Sequence, residues 1–125
     1  MFEISVDETF AAGHALRGYR GKCENPHGHN YKVRVTLAVE TLDAIGLLYD
    51  FKDLKAAMNQ VIERFDHQFL NDIEPFRQQN PSAENMARYF YQEIGERLRE
   101  STGGRVRIKR VKLWETDTTT ATYFE

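Results

Sequence analysis

The chain has 125 residues, a formal net charge of −2 and one cysteine. Its length is typical of a single domain with its own core, its charge offers no nucleic-acid surface, and no apolar run approaches the roughly 20 residues of a membrane span. The first residues, MFEISVDETFAAG, do not form a signal peptide, and a lone cysteine cannot close an intrachain disulfide. We therefore expect one cytoplasmic domain over residues 1–125.

Two segments in the first third of the chain alternate apolar and polar residues, which is the pattern of half-buried strands. They cover residues 2–10 and 31–40. The two segments predict an antiparallel pair with one solvated face. The connection between them, from about Gly13 to Asn30, is longer than a hairpin needs, and long loops in compact domains are often functional.

The spacing of apolar residues then becomes helical. Residues 51–65 predict an amphipathic helix with Asp50 as its N-cap. A second helix is predicted over residues 80–100, with Asn80 as the N-cap and Pro81 at the first helical position.

Two further strands are predicted at the C-terminal end, over residues 105–116 and 120–125. A slip in the alternation between Ile108 and Val111 predicts a bulge or a change of exposed face. The order β-β-α-α-β-β predicts an α+β domain, in which a four-stranded antiparallel sheet carries both helices on one face. The other face carries several cations and is either solvated or buried by assembly.

Three histidines are candidates for a metal site. His27 and His29 flank Gly28 at the entrance of the second strand, and residues i and i+2 of a strand point to one side. His14 follows the first strand, so antiparallel pairing would bring it to the other two. Three imidazoles and an open position form a catalytic zinc site, whereas structural zinc usually has four protein ligands. Loop histidines with ordinary hydrogen bonds are the alternative, and the His-Gly-His pattern alone does not decide.

Cys23 lies four residues before His27 and allows three interpretations. It is a small buried residue without chemistry, a fourth metal ligand, or a proton acceptor whose thiol ionises readily beside Lys22 and a cation. Its polar neighbours do not suggest an apolar core. We favour the proton acceptor over the ligand, because a closed four-ligand site would leave His67 without a role.

Other polar residues have both a structural and a functional interpretation. Asp66 and His67 follow the first helix, where His67 either interacts with the helix dipole or serves as a general acid or relay. Glu115 ends a predicted strand and is either solvated or binds the donor edge of a ring such as guanine or pterin. Three cations near the site suit an anionic substrate group or form a solvated loop: Arg17, Arg20 and Lys22.

Six segments spread from residue 10 to residue 116 occur in a characteristic order. They are FAAGHAL, CENPHGHNY, GLLYDFKDLK, FDHQFLN, NPSAENMA and LWET. In this order they resemble the 6-pyruvoyltetrahydropterin synthase superfamily. The C-x-x-x-H-G-H spacing and the short chain are most similar to its bacterial branch, the 6-carboxy-5,6,7,8-tetrahydropterin synthases of queuosine biosynthesis.

This resemblance implies the tunnelling fold, in which the sheets of three subunits join into a barrel and two trimers stack into a homohexamer. The zinc ligands that it implies are His14, His27 and His29. It also implies that Cys23 is the catalytic proton acceptor, that His67 is a relay oriented by Asp66, and that Glu115 anchors the pterin ring and belongs to the relay. Site residues would then come from different subunits.

The substrate implied by the resemblance is 7,8-dihydroneopterin triphosphate. Zinc would act as a Lewis acid on the side-chain hydroxyls, and Cys23 would remove a side-chain carbon proton. Triphosphate would leave, and in the carboxy branch acetaldehyde would leave as well. No G-x-G-x-x-G or P-loop string occurs, which agrees with a reaction without a nucleotide cofactor. The alternatives are the 6-pyruvoyl product, a non-catalytic pterin- or metal-binding module, and a zinc hydrolase.

Overall fold

The computed structural model describes residues 1–125. Five strands form one sheet in the order β3-β1-β2-β4-β5, and two helices, α1 and α2, pack on one of its faces. The strands are β1 (Phe2–His14), β2 (His27–Val39), β3 (Gln68–Phe69), β4 (Arg107–Thr116) and β5 (Thr119–Phe124), and the helices are α1 (Phe51–Ile62) and α2 (Ala83–Thr102). The predicted α+β class is confirmed. The sheet has one strand more than predicted, because the two residues of β3 pair in parallel with β1.

Strands β1 and β2 form the long antiparallel pair that leads to the histidines. Each has thirteen residues, and their pairing runs from Phe2 opposite Val39 to His14 opposite His27. At the histidine end both strands extend beyond the predicted segments, β1 to His14 and β2 from His27. The alternation of large apolar residues does not reach these rungs, which carry histidines, alanines and glycines, so the sequence pattern did not include them. The connecting loop is therefore residues 15–26, and a histidine lies at each end of it.

The core lies between the sheet and the helices. Alternate side chains of β1, β2 and β4 face the helices, as period-two strands require, and each helix contributes one apolar stripe. The largest fully buried side chains are Tyr31, Leu37, Leu54, Met58, Phe65, Leu70, Phe76, Met86, Phe90, Ile94, Leu98 and Leu113.

The predicted slip in β4 is a β-bulge. Arg110 pairs with Thr36 while Ile108 pairs with Leu37, so Lys109 is the extra residue. Because one residue is added, inward-facing positions have even numbers before the bulge and odd numbers after it.

The helix ends agree only in part with the sequence. Asp50 caps α1 as predicted, since its carboxylate accepts a hydrogen bond from the Lys52 N–H at 2.8 Å. Helix α1 ends at Ile62, three residues early, because the chain turns there towards β3. The predicted N-cap of α2 is wrong: Ser82 caps the helix through its hydroxyl, because the Asn80 side chain bonds to another part of the chain.

The second face of the sheet is polar in the single chain. Arg34 pairs with Asp7 at 2.7 Å, and the ammonium nitrogen of Lys32 lies 4.0 Å from the ring centre of Trp114. Both sheet edges are largely unpaired: β5 has one neighbour, and β1 has a second neighbour only at two residues. Neither helix combines the length and apolar composition that crossing a membrane would need.

Candidate metal centre and active site

The register of β1 and β2 brings the three predicted histidines together. His14 lies opposite His27, and His29 lies opposite Ala12 on the next rung of the same face. One ring nitrogen from each histidine lies within 4.8 Å of the other two. His14 is fully buried, and the other two are half-buried. The predicted convergence of these side chains therefore exists within one chain.

The hydrogen bonds of two of these rings fix their tautomers. His14 donates from Nδ1 to the Pro81 carbonyl, and His27 donates from Nδ1 to the Asn25 carbonyl, each at 2.7 Å. A neutral imidazole has one N–H, so both Nε2 atoms carry lone pairs, yet they lie 2.9 Å apart. Two facing lone pairs repel unless a proton or a metal ion lies between them. A carbonyl on the outer nitrogen is also the usual support of a metal-bound histidine.

Burial favours the neutral form of two of the three histidines. Burial lowers the pKa of His14 and of His29 below the ordinary value, although the negative charge of Glu115 works in the opposite direction. Neutral imidazole is the form that binds a metal ion. His29 Nε2 is buried and has no hydrogen bond, and its nearest acid, Glu115, is 3.6 Å away. This donor set fits a zinc ion with an open coordination position.

Cys23 is not one of the converging side chains. It is half-buried in the short 3-10 turn Lys22–Glu24. Cys23 and Glu115 line the same cavity, of about 440 Å³, with the start of α2 and four residues of β5. Glu115 therefore connects the histidine cluster to the thiol. A cavity of this size suits a small ring-shaped ligand.

Asp66 and His67 form the predicted pair but lie on a different surface. The Asp66 carboxylate accepts a hydrogen bond from the Ala11 N–H at 3.0 Å, and the same oxygen lies 3.0 Å from His67 Nδ1. The Ala11 N–H and, to a smaller extent, His67 hold the pKa of Asp66 below its ordinary value. His67 has φ +60°, a left-handed conformation that is uncommon outside glycine and that often marks a functional position.

His67 does not meet Cys23 within one chain. Its side chain is 81% exposed and lines a groove of about 380 Å³ with Gly28, His29 and Asn30. Cys23 lines a different cavity.

The three predicted cations differ in their partners. The Arg17 guanidinium donates to the carbonyls of Gln79, Asn71 and Phe76 at 3.1, 3.3 and 2.8 Å. Arg17 therefore holds the loop to the rest of the domain. Arg20 and Lys22 are exposed and form no ion pair within the chain.

Sequence reasoning missed several residues of the site. The supporting carbonyls of Pro81 and Asn25 have no sequence signal, because any residue supplies a carbonyl. Tyr31 could have been found, since it follows His27 and His29 at the same two-residue spacing. Its ring lies 5.5 Å from His29 and 6.0 Å from His14 between ring centres, and its buried hydroxyl has no hydrogen-bond partner in the chain.

Comparison with known proteins agrees with this geometry. A family model described as 6-pyruvoyl tetrahydropterin synthase matches residues 3–125. A 6-carboxy-5,6,7,8-tetrahydropterin synthase from Aquifex aeolicus is 32% identical, with 99% of this chain and 98% of that protein covered. A dihydroneopterin monophosphate aldolase from Pyrococcus furiosus is 35% identical, with 86% and 83% covered.

A solved structure gives the same result. The 6-pyruvoyl tetrahydropterin synthase of Caenorhabditis elegans superposes with a TM-score of 0.87 at 28% identity, with 99% of this chain and 95% of that chain covered. Since the family match and the superposition both span almost the whole chain, the chain belongs to the 6-pyruvoyl tetrahydropterin synthase family of pterin-forming enzymes.

Proposed function

We propose that this enzyme converts 7,8-dihydroneopterin triphosphate to 6-carboxy-5,6,7,8-tetrahydropterin, with release of acetaldehyde and triphosphate, as a step of queuosine biosynthesis. The observation that carries the proposal is the joined site: three imidazoles converge, and Glu115 links them to the cavity of Cys23. The 6-carboxytetrahydropterin synthase from Aquifex aeolicus, which aligns along the whole chain, supports the carboxy product.

We propose zinc as the metal, held by His14, His27 and His29. When bound, zinc would supply Lewis-acid activation of substrate hydroxyls. Cys23 would take a proton from a side-chain carbon of the substrate, because it lines the same cavity as Glu115, whose carboxylate lies 3.6 Å from His29 Nε2. A base beside a metal-bound hydroxyl is well placed for general base catalysis.

The polar groups of the cavity suggest how the substrate is held. The Glu115 carboxylate would accept hydrogen bonds from the N–H edge of the pterin ring, as a charged acceptor does for a planar donor pair. Arg20 and Lys22 would bind the triphosphate, since they are exposed and, unlike Arg17, their side chains form no hydrogen bond or ion pair within the chain. The guanidinium of Arg17 already donates to three carbonyls, so its predicted substrate contact would require it to exchange them.

The position of His67 supports a site built by more than one subunit. His67 faces a different groove from Cys23 in a single chain, and the unpaired edges of β1 and β5 are available for strand pairing with other copies. A homohexamer of two trimers would allow the Asp66–His67 pair of one copy to complete the Cys23 cavity of another.

The first experiment tests the reaction itself. Purified enzyme is loaded with zinc and incubated with dihydroneopterin triphosphate, and products are identified by mass spectrometry. Cys23→Ala should abolish turnover and keep one zinc per chain, because the thiol is not a ligand in the proposal. Cys23→Ala enzyme that works at the wild-type rate would refute the role of the thiol.

The products distinguish the related activities. Acetaldehyde with the 6-carboxy product supports the proposal, and a 6-pyruvoyl product without acetaldehyde supports the runner-up. Parallel incubation with dihydroneopterin monophosphate tests an aldolase reaction, which the relative from Pyrococcus furiosus makes a specific alternative. Zinc binding without consumption of any dihydropterin would show a non-catalytic binding module, and activity that survives alkylation of Cys23 would support a zinc hydrolase.

A second experiment tests the shared site. Cys23→Ala and His67→Ala subunits, each inactive alone, are mixed under conditions that exchange subunits. If the two residues act from different chains, some mixed sites contain both wild-type residues and activity returns. Mixed assemblies that form and stay inactive would place Cys23 and His67 in the same chain's site.

A further inference from the structure

The loop that carries Cys23 is fastened by two asparagine side chains. Asn71 accepts a hydrogen bond from the Ala15 N–H at 2.9 Å and donates to the Ala15 carbonyl at 2.8 Å. Asn80 makes the same pair with Arg17, accepting from its N–H at 2.8 Å and donating to its carbonyl at 2.9 Å. Each amide thus replaces the neighbouring strand that β1 lacks beyond His14. We call these four bonds the asparagine clamp.

The clamp reaches Cys23 through one backbone bond. Leu16 lies between the two clamped residues, and its N–H donates to the Cys23 carbonyl at 2.8 Å. Because Ala15 and Arg17 on either side of Leu16 are hydrogen-bonded to the asparagines, Leu16 has little freedom to move. Its bond to the Cys23 carbonyl therefore fixes the position of the 3-10 turn relative to the end of β1. The sequence predicts Asn80 only as a helix cap, whereas in the structure its side chain bonds to the Arg17 backbone.

The same segment also supports the metal centre. Pro81 directly follows Asn80, and its carbonyl accepts the Nδ1 hydrogen bond of His14 at 2.7 Å. His14 in turn precedes the clamped Ala15. The segment from Asn71 to Pro81 therefore contacts both the metal-ligating imidazole and the backbone that carries the thiol.

We propose that Asn71 and Asn80 are positioning residues, which set the distance and orientation of Cys23 relative to the three histidines. The importance of that distance for turnover rests on the proposed function, whereas the clamp itself does not. A misplacement of a reacting group by about 1 Å can cost on the order of 100-fold in rate, so a base on a flexible loop benefits from such fixing.

The test uses the only thiol of the chain as its probe. Asn71→Ala and Asn80→Ala are compared with Asn59→Ala, an exposed asparagine on α1, in the full-length zinc-loaded protein. Iodoacetamide alkylation of Cys23 is followed by mass spectrometry under conditions where all variants are folded. Loss of two hydrogen bonds should favour opening of the loop, so alkylation should become at least about fivefold faster. The Asn59→Ala protein should stay within about twofold of wild type, as expected for a surface change.

Steady-state kinetics provide the second readout. The clamp variants should lose about 10- to 100-fold in kcat at saturating substrate, and KM should rise as well, because Arg20 and Lys22 lie on the same loop as Cys23. Asn80→Asp keeps the acceptor for the Arg17 N–H but places a carboxylate oxygen against the Arg17 carbonyl. It should therefore change both readouts in the same direction as Asn80→Ala, and it remains informative if the alanine variant does not fold.

The outcomes separate the two proposals. Alkylation and kcat that match Asn59→Ala in the folded variants would overturn the clamp. Faster alkylation in variants of a protein that turns over no dihydropterin would support the clamp and reject the proposed function. Turnover by wild type with unchanged kcat and unchanged alkylation in the variants would reject the clamp alone.

Discussion

Removal of the Tyr31 hydroxyl should stabilise the metal-free protein. The Tyr31 side chain is fully buried, and its hydroxyl has no hydrogen-bond partner in the chain. Its ring stacks on Phe10 with 5.0 Å between ring centres, and phenylalanine keeps this contact. Burial, together with the charge of Glu115, raises the pKa of Tyr31, so the group is a neutral phenol at every pH at which the protein would be studied.

The magnitude follows from the cost of an unpaired polar group. A buried hydroxyl without a partner costs about 1–3 kcal/mol, and the small gap that the substitution leaves returns part of this. We expect Tyr31→Phe to raise the free energy of unfolding by about 1–2 kcal/mol. For 125 residues the unfolding entropy near 60 °C is about 0.26 kcal/mol/K, so Tm should rise by roughly 4–8 °C.

The assay is calorimetric unfolding of chelator-treated protein at a fixed chain concentration and pH 7.5. Tyr123→Phe is the matched control, because its exposed hydroxyl donates to the Glu125 carboxylate at 2.8 Å. Its unfolding free energy should change by less than about 0.5 kcal/mol. A Tm of Tyr31→Phe at or below that of wild type would refute the reasoning, since it would mean that the hydroxyl is satisfied in the folded protein.

Three further predictions concern the metal centre and the acid pair. Burial lowers the folded-state pKa values of His14 and His29, so below about pH 6.5 the unfolded chain binds more protons than the folded chain. The free energy of unfolding of the metal-free protein should therefore be highest above about pH 6.5 and should fall as the pH decreases below it. Urea titrations at several pH values measure this change. Zinc at about 1,000 times its Kd should stabilise the fold by about 4 kcal/mol, and a chelator should reverse the shift in Tm, whereas an unchanged Tm would argue against a site in the native state. Asp66→Asn should lower kcat at least about tenfold at unchanged zinc content, because the carboxamide holds His67 without a charge, and full activity would exclude an orienting role.

The strands and helices were predictable where apolar side chains recur at a regular spacing along the sequence. Alternation along β1, β2 and β4 and helical spacing along α1 and α2 all reflect burial against one core. The ends of β1 and β2 near the histidines were not predictable in this way, because histidines, alanines and glycines replace the aliphatic residues there. The strand β3 has two residues and depends on tertiary pairing, so no local pattern reveals it.

The site was predictable to the extent that it depends on strand geometry. His27 and His29 point the same way because they are two residues apart, and His14 joins them through antiparallel pairing. The Asn80 side chain was assigned to a helix cap because that role is local, whereas its actual partner Arg17 is 63 positions away in the chain. The left-handed backbone of His67 also has no sequence signal, because it depends on the contact of this turn with β1.

The pairing of β1 with β2 has a consequence for how the metal site is encoded. The loop between the strands is too long to set their register, so the apolar residues at the far end of the thirteen-residue strands must do so. A slip of one residue would turn an entire strand over and separate His14 from its two partners. Changes among core residues remote from the histidines are therefore expected to weaken binding at the proposed metal site while His14, His27 and His29 are intact. The relative positions of the three histidines therefore depend on residues along the whole β1–β2 pair, because those residues set the register of the two strands.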